Sequence, residues 1–247
     1  MPRYDFRAPR LYVRAPLAAG SMVPLDRAQA HYLGTVLRLS SGERVLIFNG
    51  RDGEWSATVQ MLKRTASLEV ETRTRPQPVP ADLHYLFAPL KAARLDYMVQ
   101  KAVEMGVSAL RPVLTQHGQV TRINGERMLA NATEAAEQCG LLTLPEIKPP
   151  AQLTDVLAAW EPERRLIFCD EDAEVKSPVA ALAGLPAAPL ALLIGPEGGF
   201  SAEERDMLLK RPHVVRLSLG QRILRADTAA VAALAVIQSV AGDWRDG

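Results

Sequence analysis

Leu193-Ile194-Gly195-Pro196-Glu197-Gly198-Gly199-Phe200 and Leu217-Ser218-Leu219-Gly220-Gln221-Arg222-Ile223-Leu224-Arg225-Ala226-Asp227-Thr228 decide how this chain reads. Each stretch begins at the end of an apolar run that reads as a buried strand, and each leads into a helical pattern. Two loops at the carboxyl ends of neighbouring parallel strands enclose a ligand crevice. Gly195 and Gly198-Gly199 let backbone approach a ligand closely, because no Cβ intervenes, and Pro196 stiffens the turn. Ser201 with Glu204 has the spacing of a capping box for the next helix. Glu197 is needed for no cap. No Lys-Ser/Thr follows these glycines, and no Gly-x-Gly-x-x-Gly follows an early strand, so phosphate and dinucleotide loops are excluded. Glu197 would repel a pyrophosphate and suits a cationic or neutral ligand. In the second stretch Arg222 and Arg225 flank Ile223-Leu224. An arginine among apolar residues needs a carboxylate or phosphate partner, so Arg225 either pairs with Asp227 or Glu197 or faces a ligand. Asp227-Thr228 reads as a cap for the helix that follows.

Outward from these loops, strands and helices alternate. Leu83 to Phe87 and Ala109 to Leu114 read as strands. Lys91 to Gly106 reads as a helix with Leu95, Met98, Val99, Ala102 and Met105 on one face and Gly106 as its stop. Asn124 to Gly140 and Leu153 to Trp160 also read as helices. Leu166 to Cys169 and Leu190 to Ile194 are continuous apolar runs, as buried parallel strands are, and Val214 to Leu217 reads as another strand. Ala226 to Val240 lacks the polar stripe of a surface helix, so it packs in the core or against a second subunit. Residues 83–247 therefore read as a doubly wound α/β domain.

Before this lies a different pattern. Leu11-Tyr12-Val13, Glu43 to Phe48, Glu54 to Val59 and Ser67 to Glu71 are short strands separated by turn cues such as Asn49-Gly50-Arg51-Asp52-Gly53. Asp26 caps a short helix containing Ala30, Tyr32, Leu33 and Val36. Residues 1–75 thus read as a small β-barrel, joined to the second domain by a proline-punctuated linker at 76–82. The charge follows this division. Residues 1–80 hold twelve Arg or Lys against seven Asp or Glu, whereas the whole chain is only +1. The basic amino-terminal part suits a polyanion, or simply carries a solvated charged face.

The 247 residues, 48% apolar, suffice for a sizeable core. No apolar run reaches the roughly 20 residues of a bilayer span, and Met1-Pro2-Arg3-Tyr4-Asp5 has no apolar signal core. Cys139 and Cys169 make no disulfide framework, which points to a reducing cytoplasm. His31, His84, His117 and His213 are scattered without ligand spacing, so no metal is expected.

The two loops together resemble those of the RsmE-type ribosomal RNA small subunit methyltransferases of the SPOUT superfamily. His31-Tyr32-Leu33 with Val36-Leu37-Arg38 and Phe48-Asn49-Gly50 resemble the family's amino-terminal signatures. Lys91-x-x-Arg94-x-Asp96, Lys101-Ala102-x-Glu104-x-Gly106-Val107 and Glu134-Ala135-Ala136-Glu137-Gln138 resemble its middle ones. The resemblance spans nearly the whole chain. It implies a PUA-like RNA-binding barrel followed by a trefoil-knotted methyltransferase domain, a homodimer, and S-adenosylmethionine bent in the knot loops. It further implies methylation at N3 of a uridine in 16S ribosomal RNA, with the assembled small subunit favoured over the free RNA as substrate.

On that reading Ile194, Gly195, Pro196, Glu197, Gly198, Leu217, Leu219, Gly220, Ile223, Leu224 and Thr228 hold the cofactor. Arg225, with Arg222 second, steadies the uridine anion, and Asp227 or Glu197 takes the proton or holds an arginine. Arg10, His31, Arg38, Lys91 and Arg94 are the candidate RNA contacts. The chain departs from the family pattern at Leu141, where arginine is usual, at Gln221, where proline is common, and at Ala226-Asp227, where Thr-Glu is usual. An RNA-binding relative without catalysis, an enzyme of the same superfamily acting on transfer RNA, and an unrelated nucleotide-binding enzyme are the rival readings.

Overall fold

A computed structural model of the chain describes residues 8–62, 65–120, 122–173, 177–186 and 188–246; the Met1–Asp5 start lies outside them. The chain forms two units. One comprises the residues up to Val79 together with Ala136–Leu144, and the other comprises Pro80–Ala135 and everything from Pro145.

The first unit holds β1 (Arg10–Tyr12), β2 (Met22–Pro24), β3 (Arg44–Phe48), β4 (Glu54–Met61) and β5 (Ala66–Arg75) in one sheet of order β1-β3-β4-β5-β2. β1 runs parallel to β3, and the remaining pairs are antiparallel. Alternate residues of these strands, among them Val45, Ile47, Ala57, Val59, Leu68 and Val70, bury into one cluster. Asp26 caps α1 (Arg27–His31) through a capping box with Gln29. The expected longer helix does not continue as such: Tyr32–Val36 widens into a π-helical turn. That turn buries Leu33 while exposing Tyr32 and Val36. Arg38 follows at φ 57°, a left-handed conformation uncommon for a side-chain-bearing residue.

Residues 136–144 belong to this unit because of specific bonds. Tyr12 N–H donates to Glu137 Oε1 at 2.8 Å, and Arg75 Nη2 donates to the Gly140 carbonyl at 2.9 Å. The same Arg75 and Arg10 both grip the buried Glu54. Burial pushes the Glu54 pKa up, but hydrogen bonds from Arg75, Thr74 and Arg10 outweigh it and hold the carboxyl below its usual value.

The second unit comprises β6 (Leu83–Phe87), α2 (Ala92–Glu104), β7 (Ala109–Leu114), α3 (Gly125–Cys139, its last turn in the first unit), β8 (Glu146–Ile147), β9 (Ala151–Gln152), α4 (Leu153–Ala158), β10 (Arg165–Cys169), α5 (Pro178–Ala183), β11 (Leu190–Ile194), α6 (Ala202–Leu209), β12 (Val214–Leu217) and α7 (Ala226–Ala241). The sheet order is β12-β10-β11-β6-β7-β8, with β9 also on β7, and every pair is parallel. Leu86, Val113, Leu166, Phe168 and Leu193 bury one face under Leu153, Val156, Leu157 and Leu208 of α4 and α6. α2 and α7 pack together on the other side, where Met98, Val99, Ala230, Leu234 and Ile237 are buried. No helix among the described residues is long and apolar enough to cross a membrane.

Candidate functional site

Three loops, not two, meet at the carboxyl edge of the parallel sheet. β10 lies between β11 and β12, so the two glycine-bearing loops do not leave neighbouring strands. The loop after β10, Asp170-Glu171-Asp172, completes the wall. The three enclose a cleft of about 390 Å³, within the ~300–1,000 Å³ typical of small-ligand sites.

Each loop is held locally. Ser201 and Glu204 form the expected capping box on α6, which fixes the exit of the first loop. A Cβ on Gly195 would lie 2.4 Å from the Phe200 ring, so the backbone there has room only for glycine. Phe200 packs edge-on to Phe168, with centroids 5.2 Å apart. Gly199 turns the chain at φ 71° while its N–H donates to the Pro196 carbonyl. The third loop is clamped by Asp170. Its Oδ2 accepts from Arg216 Nε of β12 at 2.7 Å and from Arg205 Nη2 of α6 at 3.1 Å, and its Oδ1 accepts from the Asp172 N–H. Burial raises the Asp170 pKa, yet the bonds from Arg205, the Asp172 N–H and Arg216 together hold it below the usual carboxylate value. Beside it, burial pushes the Cys169 thiol up to about 12, so the cleft floor there is neutral.

Ile194, Gly195, Pro196, Glu197, Leu217, Leu219, Gly220, Arg222, Ile223, Leu224 and Arg225 all line the cleft. Arg222 and Arg225 make no ion pair among the described residues: Glu197 is engaged by Arg94, not by Arg225. Asp227 and Thr228 do not line it. α7 begins at Ala226, its N-cap is Arg225, and Ala226 and Ala229 are the residues facing the cleft. Helical spacing therefore turns positions 227 and 228 away. Asp227 is not the cap either; its Oδ1 accepts only the adjacent Thr228 N–H. Gly198 lines a separate cavity on the other side of the loop, with Lys91 and Arg94. In the first unit, His31 and Arg38 are exposed. Arg10 is not available to a polyanion: it is 5% exposed and bound to Glu54. Asp170, Glu171, Asp172 and Arg205 are cleft residues that sequence reasoning missed, although Asp-Glu-Asp after the apolar run ending at Cys169 was the available signal.

Comparison with known proteins decides what this architecture is. The family described as "RNA methyltransferase domain" matches residues 77–238, most of the chain. The chain belongs to this RNA methyltransferase family. The family's companion, "RNA methyltransferase PUA domain", matches residues 25–71. The architecture is accordingly a PUA-like domain followed by a SPOUT-type methyltransferase domain. The ribosomal RNA small subunit methyltransferase E of Synechocystis is 31% identical, over 94% of this chain and 77% of its own. A crystal structure of the Neisseria gonorrhoeae ribosomal RNA small subunit methyltransferase E bound to S-adenosyl methionine superposes with a TM-score of 0.85 at 27% identity, covering 96% of this chain and 100% of that one. A Legionella pneumophila methyltransferase in complex with the same cofactor gives a TM-score of 0.82 at 30% identity, over 94% and 98%.

Proposed function

We propose that this chain methylates N3 of a uridine in 16S ribosomal RNA of the assembled small subunit, using S-adenosylmethionine. The observation that carries this reading is the three-loop cleft at the carboxyl edge of the sheet, with Arg222 and Arg225 at it and held by no carboxylate among the described residues. Similarity to small-subunit ribosomal RNA methyltransferases over nearly the whole chain, two of the neighbours holding this cofactor, supports the assignment.

The cleft fits the cofactor on its own terms. Its volume is adequate, Gly195 has no space for a side chain, and Cys169 adds no charge. When bound, S-adenosylmethionine supplies a methyl group on a sulfonium. Backbone of Ile194, Gly195, Leu217, Leu219 and Gly220 frames it, with Pro196, Ile223 and Leu224 giving apolar contact. The protein's work is then to hold the acceptor in line and to favour loss of the N3 proton. Arg225 does this by stabilising the negative charge that develops on uracil O2 or O4, an oxyanion role. Arg222 is the second cation. Of the two carboxylates considered for the proton, Glu197 already holds Arg94 and Asp227 is turned away, so both are assigned to structure.

Exposed His31 and Arg38 and the net positive first unit suit the RNA backbone. The half-exposed apolar outer side of α7, including Ala232, Ala235 and Val236, suits a second copy, giving a homodimer. The remaining parts of the reading are a trefoil knot through the loops and a cytoplasmic location. The test is transfer of labelled methyl to small subunits lacking the modification, with free RNA in parallel, followed by nucleoside mass analysis. N3-methyluridine formed on subunits supports the reading; cofactor binding without any transfer to either RNA refutes it.

A further inference from the structure

Four carboxylates line the cofactor cleft: Asp170, Glu171, Asp172 and Glu197. Three of them are committed to arginines. Asp170 holds Arg205 and Arg216, Asp172 Oδ2 lies 3.5 Å from Arg205 Nε, and Glu197 pairs with Arg94. Glu171 forms no ion pair and accepts no hydrogen bond among the described residues. It is exposed, and its carboxylate reaches from the loop after β10 to the loop after β11. There Oε1 lies 3.1 Å from where a Cβ on Gly199 would stand, a place left open by the glycine. On the remaining wall Arg222 and Arg225 likewise make no ion pair among the described residues. The unneutralised charges around the cleft are therefore two guanidiniums and one carboxylate. Two bare guanidiniums repel a cationic ligand, and a bare carboxylate in the same small cleft offsets that repulsion.

We infer that Glu171 selects the methyl donor by charge: it attracts the sulfonium form and not the neutral thioether left after transfer. This rests on the methyl-transfer reading above and names a specificity-determining residue for it. In the transfer the sulfur–methyl bond breaks with its electron pair staying on sulfur. The new bond forms from the uracil N3 pair, and the N3 proton passes to solvent. The ammonium and carboxylate of the methionine part cancel before and after, so the cofactor goes from one positive charge to none. Donor and product otherwise differ by a single methyl group. Backbone hydrogen bonds and apolar walls hold the two alike, and a charge is the feature that separates them strongly. The attraction to Glu171 disappears with the sulfonium, which favours exchange of spent cofactor for fresh donor. The sequence placed a preference for a cation at Glu197. Folding commits Glu197 to Arg94 and leaves that part to Glu171.

Isothermal titration of the full-length protein with three ligands tests this without any turnover. The ligands are S-adenosylmethionine, S-adenosylhomocysteine and sinefungin, which carries a charged amine in place of the sulfonium methyl. At low ionic strength Glu171→Gln weakens the two cationic ligands about fivefold, the size expected of one exposed charge pair, and leaves S-adenosylhomocysteine within about twofold. Glu171→Lys widens the loss for the cations, and Glu171→Asp keeps most of the preference. Raising the salt narrows the gap between wild type and Glu171→Gln, because the attraction is screened. In transfer assays S-adenosylhomocysteine inhibits Glu171→Gln more strongly, relative to KM for the donor, than it inhibits wild type. Equal weakening of all three ligands assigns Glu171 to the ribose or the amino-acid part, which donor and product share, and overturns the inference. Unchanged affinities for all three overturn it as well. If wild type transfers no methyl to either RNA while the charge preference is lost in Glu171→Gln, the reaction assignment fails and the selection of the donor by Glu171 stands.

Discussion

Asp170→Asn is the substitution that most directly probes how the cleft is assembled. The Asp170 side chain is 2% exposed, while Arg205 and Arg216 remain 28% and 37% exposed. Asparagine keeps the shape but removes the charge, and its amide nitrogen then faces a guanidinium, donor against donor. Removing one partner of a fully buried ion pair costs about 3–5 kcal/mol. Here both arginines recover some hydration, so a cost of about 2–3 kcal/mol is expected. In a chain of this size that lowers the thermal midpoint by roughly 5–10 °C. The pairs also tie the loop after β10 to β12 and α6, the elements that carry the other two walls. Affinity for S-adenosylmethionine should therefore fall about tenfold, equivalent to ~1.4 kcal/mol. Differential scanning calorimetry and isothermal titration measure the two effects. An unchanged midpoint would show that the pair carries no stability. A lowered midpoint with unchanged affinity would show that Asp170 staples the fold without shaping the cleft.

Other expectations follow from the same geometry. Arg225→Ala should lower kcat by about 10²–10³, the usual cost of one oxyanion donor, with cofactor affinity within twofold; an unaltered kcat would remove Arg225 from the chemistry. Gly195→Ala places a methyl group into Phe200, whose ring is backed by Phe168, and should cost about 1–3 kcal/mol and weaken cofactor binding, read by melting and titration. Arg10→Ala leaves Glu54 partly unpaired in the first unit and should destabilise by about 2–4 kcal/mol in chemical unfolding, not merely reduce RNA affinity. His84 carries a pH dependence. Burial, then Arg164 and Arg111, lower its pKa from 6.5 to about 4, so the folded state holds it neutral. Its stabilising effect is complete above pH 6.5 and is lost as pH falls toward 4, by up to ~3 kcal/mol from the linkage relation. His84→Gln should flatten the stability profile between those values, and an unchanged slope would exclude His84 as its source.

What could be read in the sequence, and what could not, follows from whether a residue's reason is local. β6, β7, β11 and β12 run over the residues expected; β11 is the clearest case, because a strand buried on both faces is a continuous apolar run bounded by turn residues. The cap at Asp26 and the capping box at Ser201 were equally legible, since donor and acceptor lie three residues apart. The π-helical turn at Tyr32–Val36 was not: its apolar residues keep the spacing of an ordinary helix, and only the hydrogen-bond ladder widens. β2, β8 and β9, two or three residues long, are too short to show a period.

The site divides in the same way. Glycines announce close backbone approach wherever they stand, so the loops after β11 and β12 were visible. The Asp170 loop reads as solvated charge until folding brings Arg205 and Arg216 to it from two later elements. Arg10 looked like a free cation for the converse reason: its partner Glu54 lies 44 residues away and becomes a neighbour only when β1 and β4 close over the same core. Asp227 and Thr228 failed on a finer point. Their spacing from the loop was right for a cap, but the helix starts at Ala226, and one residue of helical phase separates a side chain facing the cleft from one facing away. Charge and glycine content thus located the cleft, while the identity of its ionic clamp depended on the order of strands in the sheet, which places β10 between the two loops that had seemed adjacent.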